Sequence, residues 1–554
     1  MAGIQATTLR RRRWILWVAG AVLAVLVAAA GVVALVMHRA EPFLRARIVG
    51  ALQDRFHARV ELDSFHVSLV NGIWAEGKGL RIWPPAEVEG VAVPAAQGEP
   101  LIRLVEFRFH APLHYRPGLP LHISQVELKG LSIHLPPRSR FAHAASDAAN
   151  SGKAPLAAKL VNFQIDRMEC NGAELVMETS KPGKLPMRIA IAHLKLTGIT
   201  SAGAIDYDTE LTNPRPVGTI HATGSFGPLQ EADLGEAPVQ GEYRFVHADL
   251  ASIKGIAGTL SSTGRYQGTL RDMTVDGETD TPDFRLTHFG AAVALHTRFH
   301  AKVDGTNGDT WLQPVEATLG RSHFIANGQI VRVPRPDAPR ESLGHDIALA
   351  VNVDRARIED FLRLASRTGK VLLTGDVALK TKLHIPPGTA PVHERLKLDG
   401  DFALEQAQFT STKFQDRIQE LSLRGQGRPD EAKSADSASV RSEMKGSFHL
   451  SGGVLTLPAL AYTVPGALIQ LKGTYGVEGG ALDFSGTVRT EATVSKMVGG
   501  WKGLLLKPAD RFFKKDGAGT EVPIRIQGTR EDPRFGVDLG RMKSTTPERP
   551  GDSR

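Results

Sequence analysis

Nineteen histidines, a tight group of acids and a single cysteine are the residues of this 554-residue chain that could bind a metal or do catalysis. His296 and His300, like His110 and His114, stand four apart, the spacing that brings two ligands together on one helix face. Both pairs fall in strand-like runs, where four residues span about 13 Å and the rings cannot share an ion. Asp276, Glu278, Asp280 and Asp283 invite a calcium or paired-carboxylate reading, and the first three share one face of a regular strand. Asp304-Gly-Thr-Asn-Gly-Asp309 resembles a calcium loop, but its glycines are misplaced for an EF-hand. Asn307-Gly308 is a hairpin signal, so turn chemistry is the better account. The nucleophile elbow G-x-S-x-G and the phosphate loop G-x-x-x-x-G-K-[ST] are absent, and Gly369-Lys370 runs on into valine. Cys170 follows Phe163 and Ile165 in an alternating run and reads as a strand residue; alone, it permits neither an intrachain disulfide nor a cysteine zinc cluster. The expectation is of no enzyme, no catalytic residue, no metal and no cofactor.

The C-terminal basic stretch has a different chemistry. Met497, Trp501, Leu504, Leu505, Phe512 and Phe513 are apolar at broadly helical spacing, among Lys502, Lys507 and Arg511. Pro508 should break or kink a helix there. A basic amphipathic helix with Trp and Phe suits a membrane surface. The competing reading is a helix that caps the end of a sheet.

The elements that would carry these residues follow from composition and period. Hydrophobic residues make up 42% and charged residues 23%, which excludes wholesale disorder. Fifty-six glycines and 33 prolines with only 6% aromatics favour turn-rich β structure over a helical bundle. The net charge of +8 is too mild at this size to argue for nucleic acid. From Val60 onward the dominant period is two, as in Leu101–Phe109 and Leu121–Leu128, the pattern of strands with one buried face. An alternating run, a glycine and another alternating run then recur, for example over 324–333, 372–380, 396–404, 444–450 and 468–475, where the glycines read as hairpin turns. Allowing typical strand and turn lengths, roughly 24–32 strands fit. Short helices are expected over Glu41–Phe56 and Ile358–Arg367. Period alone leaves a β-sandwich and an open groove equally served.

Trp14 to Met37 is a 24-residue run without a charge, about 36 Å as a helix and enough for a ~30 Å hydrocarbon core. Trp14 and Trp17 lie at its start and Leu23, Leu26 and Leu35 along it. A cleaved signal peptide would have a shorter apolar core, so an uncleaved anchor is expected. The body follows it and is expected on the far side of the membrane from the cytoplasm.

The order of segments resembles the AsmA-like family of envelope proteins. The resemblance rests on the anchor and short helix, then 57–69, Leu80–Trp83 and Gln125–Ile133. It continues through Gly255–Gly264, Thr279–Phe284 and 303–310, then Gly446–Leu455, Gly473–Phe484, Pro523–Thr529 and Asp532–Phe535. It implies a mainly β fold: a transmembrane helix, then a long antiparallel, curved β-sheet forming a groove, with a few short helices. It further implies an inner-membrane, single-pass protein whose periplasmic body supports phospholipid transport or outer-membrane biogenesis. Its partners would be the bilayer, phospholipid and an envelope protein. A scaffold or assembly factor for outer-membrane proteins is the alternative. The divisions expected are a cytoplasmic basic N-terminus 1–13, the transmembrane helix 14–37 and an N-terminal AsmA-like β region 38–135. A mobile loop 136–157, a central β-groove region 158–424 and a second loop 425–442 follow. The C-terminal β region 443–540 carries the amphipathic helix 494–515, and 541–554 is a disordered tail. A reporter fused after Arg554 is expected to be active only outside the cytoplasm, with the full-length chain in the membrane fraction. A shortened soluble product would reject the anchor.

Overall fold

The computed structural model describes most of residues 59–537 and part of 42–53; 112–120, 136–162, 335–342, 432–439 and 499–518 are the longest interruptions. Among the described residues the fold is mainly β, 70% strand, with a large curled sheet and few short helices. The expected anchor, with Trp14, Trp17, Leu23, Leu26 and Leu35, lies outside the described residues. Among the described residues no helix is long and apolar enough to cross a membrane. Two compact units divide the chain: 1–180 with 186–211 and 223–237, and the remainder.

In the first unit, β1 (Val60–Glu61) and β2 (Ser64–Ser68) both pair with β3 (Ile73–Ile82). β4 (Glu87–Val88) and β5 (Val91–Ala92) form a separate hairpin. β3 pairs with β6 (Ile102–Ala111), then come β7 (Leu121–Leu135), β8 (Phe163–Met177) and β9 (Met187–Thr200). Against the expectation of antiparallel pairing throughout, β7 and β8 are parallel. The reason is length: residues 136–162 separate them, and a parallel return needs a dozen residues or more. The described residues between 42 and 53 are helical, and Val49 and Leu52 pack on Val60, Leu62, Phe65 and Ile82.

One face of this sheet is apolar in rows, such as Leu80–Leu104–Leu131–Ala173–Ile191 and Gly77–Phe107–Leu128–Cys170–Leu194. Cys170 is 1% exposed, as its strand reading requires. Between the two rows every strand carries one extra residue. Gly79, Gly130 and Gly172 fill that level with φ of +68°, +64° and +69°, a left-handed conformation that only glycine adopts freely. The apolar period therefore slips from two to three at the same height in five strands, an aligned crease that leaves the register between strands intact.

β10 (Ile205–Pro214) and β11 (Val217–Phe226) have residues in both units. The second unit runs β12 (Pro238–Asp249), β13 (Ile256–Ala257), β14 (Thr259–Thr269), β15 (Met273–Leu286), β16 (Val293–Asp304), β17 (Asp309–Leu319), β18 (Ser322–Pro334) and β19 (Leu343–Arg357). It continues with β20 (Leu373–Ile385), β21 (Lys397–Phe409), β22 (Glu443–Ser451), β23 (Val454–Val464), β24 (Ala467–Gly476), β25 (Ala481–Thr490), β26 (Thr520–Thr529) and β27 (Pro533–Val537). β12 pairs with β14, and from β14 each strand pairs antiparallel with the next. The 27 strands among the described residues fall inside the expected range. Helices α1 (Ile358–Leu364), α2 (Val392–Arg395), α3 (Thr412–Gly425) and α4 (Val494–Val498) join strand ends. α1 starts where the sequence places it; α3 was not expected. Its end is a Schellman closure: Gly427, φ +78°, donates to Arg424 O and Arg428 N–H donates to Leu423 O at 2.9 Å.

The recurrent glycines are not hairpin turns. Gly328, Gly375, Gly400, Gly446 and Gly473 all lie inside strands. Glycine is needed there because neighbours approach too closely. A Cβ on Gly328 would stand 2.0 Å from Ala348 O, and one on Gly473 would meet Phe484 Cδ1 at 2.7 Å. Gly277 shows the purest case: its missing Cβ leaves room for Phe299 Cζ and Tyr243 Oη, each 2.8 Å from where it would be. Gly277→Ala is therefore expected to destabilise the second unit by about 1–3 kcal/mol, as overpacking does. Thermal unfolding of the variant checks this, and an unchanged midpoint would show that the two rings can yield.

Candidate functional site

The second unit's sheet has two faces of opposite character. Tyr266, Val275, Ala301, Leu312, Gly328 and Leu349 are successive register partners across β14 to β19. The row continues through Leu383, Leu398, Leu450, Leu455, Tyr475 and Leu482 to β25. A second row, Leu379–Phe402–Gly446–Leu460–Leu471–Gly486, runs beside it. A depression of about 630 Å³ follows this second row across β21–β25. Most of these side chains are half-buried. A second sheet packed ~10 Å above would bury them almost completely, and the unit has no such sheet among its described residues. Of the two architectures the period left open, the structure has the curled, groove-like one. The curl is visible in one contact: Val392 N–H donates to Lys254 O at 3.1 Å, although β14 to β20 lie between those loops in the sheet.

The largest cluster of fully buried residues on the apolar face gathers at one end. There α1 and α3 lay Ile358, Phe361, Ile418 and Leu421 on Val353, Val377, Leu404, Tyr462 and Val464, which are 5% exposed or less. α1 is held by charge. Asp360 accepts from Ser322 Oγ at 2.8 Å and Arg321 N at 3.0 Å, and Arg357 Nε donates to Glu359 at 2.8 Å. Arg355 and Arg357 both reach Asp376, at 2.8 and 2.9 Å.

The opposite face is a charged ladder. Asp276, Glu278 and Asp280 share it, as expected, and each is met by its register partner: His300, Arg298 and His296. Nδ1 of His300 and of His296 donates to its aspartate at 2.7 Å, and Arg298 Nε to Glu278 at 2.9 Å. The two histidines are thus engaged by separate acids, as β spacing dictates. His110 is in β6, 2.8 Å from Ser124 Oγ, and His114 lies outside the described residues. The Asp304–Asp309 segment is the β16–β17 turn, with Gly308 at φ +80°. Asp304 accepts from Thr306 N at 3.0 Å and Asn307 Nδ2 at 2.9 Å, while Asp309 accepts from Lys184 Nζ at 2.8 Å. Both carboxylates are engaged by the protein itself, which is turn chemistry.

Of the C-terminal candidates only Met497 is described. It is half-buried in α4, with Thr490 Oγ1 3.4 Å from its sulfur and Arg424 Nη1 donating to its carbonyl at 3.3 Å. Trp501, Leu504, Leu505, Phe512, Phe513, Lys502, Lys507 and Arg511 lie outside the described residues. No family model, no curated protein and no solved structure matches the chain.

The Arg355 guanidinium, helped by Arg357, holds the Asp376 carboxyl below the usual aspartate value against a smaller opposing desolvation. A carboxyl with a lowered folded pKa stabilises above its ordinary value of about 4 and loses that contribution as pH falls through the folded value. The thermal advantage of the wild type over Asp376→Asn is therefore expected to be full near about pH 6 and to shrink below about pH 4. An advantage that persists undiminished in acid would mean the carboxylate charge is not what ties the end of β19 to β20.

Proposed function

We propose that this chain is a membrane-anchored, non-enzymatic envelope protein that holds lipid acyl chains on the apolar face of its curled sheet. In this reading the run 14–37 is a single inner-membrane span and the body lies in the periplasm. The activity served is phospholipid transport or outer-membrane biogenesis. One observation carries the proposal: an apolar face that continues over a dozen strands with no second sheet over it among the described residues. Apolar surface left against water costs roughly 25 cal/mol per Å². A guest with long methylene chains would remove that cost without any specific chemistry. Aliphatic side chains, one glycine and two tyrosines line the first row, and its neighbour adds Phe402, all of which suit such a guest. The charged ladder on the other face keeps the same sheet soluble.

Mass spectrometry of the full chain extracted in mild detergent is expected to find acyl lipid bound to it. Leu460→Arg with Leu471→Arg is expected to deplete that lipid at least tenfold, because each change sets an unpaired cation among methylenes. Lys445→Glu, on the charged face, is expected to leave it in place. Wild-type protein free of lipid that instead retains an outer-membrane protein would favour an assembly factor and defeat the lipid reading.

A further inference from the structure

The apolar face of the second unit does not stay apolar to its foot. Below the row of Val303, Thr310, Ile330, Ile347 and Ile385, the next register pair on the same face is Arg332 and His345. Two residues along a strand move the chain by about 6.8 Å, so these side chains begin one step beyond the isoleucines. Their surroundings are cationic. Desolvation first, then Arg332 and Arg215, push the His345 pKa below that of an ordinary histidine, so Arg215, from the turn between β10 and β11, is close enough to be felt there. Asp309, the acid nearest Arg332, is engaged twice: by Lys184 Nζ at 2.8 Å and by the Arg332 backbone N–H at 3.0 Å. The Arg332 side chain donates through Nη1 to the neutral carbonyl of Asn307 at 3.1 Å. Arg332 is half-buried, its guanidinium held by the Asn307 carbonyl, and Arg215 is exposed.

The geometry points to a binding site for the phosphate of an anionic glycerolipid, with Arg332 and Arg215 on the headgroup and the Ile330–Ile347 row on the first methylenes. Guanidinium groups match phosphate oxygens bidentately. An amphiphile is chosen over a free anion because the cations adjoin a continuous apolar row. The inference rests on the lipid reading above and names the lipid class and the end of the trough that receives its head.

The test compares binding of labelled phosphatidylglycerol, diacylglycerol and inorganic phosphate to the full chain in detergent, for wild type, Arg215→Gln, Arg332→Gln and Arg332→Lys. Wild type is expected to bind both lipids, phosphatidylglycerol the more tightly. Each glutamine variant is expected to weaken phosphatidylglycerol about tenfold while leaving diacylglycerol unchanged, the weight of one charge-assisted contact. Arg332→Lys should recover part of the loss. Thermal midpoints screen out misfolding, and Arg215→Gln, at an exposed position, carries the test if Arg332→Gln is unstable. Phosphatidylglycerol binding untouched by every variant overturns the headgroup site and leaves the trough intact. Failure of wild type to bind either lipid overturns the trough itself. Inorganic phosphate bound as tightly as phosphatidylglycerol would make this a free-anion site and overturn the lipid assignment.

Discussion

A sheet with one wet face and one apolar face, and among the described residues no second sheet over the apolar one, is the condition to which the rest of the fold answers. Register makes it so. Because partners across a ladder share a face, an apolar residue in β14 continues as apolar residues to β25, and the acids of β15 meet His300, Arg298 and His296 in β16. Exposed pairs of this kind contribute little stability each, typically under 1 kcal/mol. Their value lies in register: a slip by one residue would put every charge on the apolar side.

Curvature is the response to the uncovered face. Bending reduces the apolar area that water reaches, and the sheet bends through devices that cost it side chains. In the first unit Gly79, Gly130 and Gly172 insert an extra residue at one height and crease the sheet. In the second, Gly277, Gly446 and Gly473 let aromatic rings lie across the backbone where a Cβ would stand. Covering is local, at the end where α1 and α3 bring four large apolar side chains over Val353, Leu404 and Tyr462. What remains half-buried between that end and the foot at Arg332 is a surface with one apolar length and one cationic limit. The proposed guest is the kind of molecule that has both.

Much of this was legible in the residues. Period two announced strands with a single apolar face. β spacing of the histidine pairs already separated them by too far for a shared ion, and His296 and His300 each meet their own aspartate. Asn307-Gly308 marked a true hairpin, and Ile358 marked the start of a true helix. Other features were written in the sequence and passed over. Phe414, Ile418 and Leu421 recur at helical spacing in α3, and the interval of three between Leu128 and Leu131 marks the crease. The glycines misled because a glycine between alternating runs serves equally as a turn or as a seat for a neighbouring ring. Only the identity of the cross-strand partner, Phe299 or Phe484, separates the two uses.

Which face of each strand is apolar was determined by the sequence alone, since alternation is a property of neighbours along the chain. Whether a second layer meets that face was decided by the tertiary structure, because covering depends on strands and loops hundreds of residues apart. The same holds for the parallel pairing of β7 with β8, and for Arg332 and Arg215, two charges that no local pattern brings to the side of His345 at one end of a sheet. Local periodicity carries no information about closure; only the register of many successive ladders, accumulated strand by strand, sets what a face finally meets.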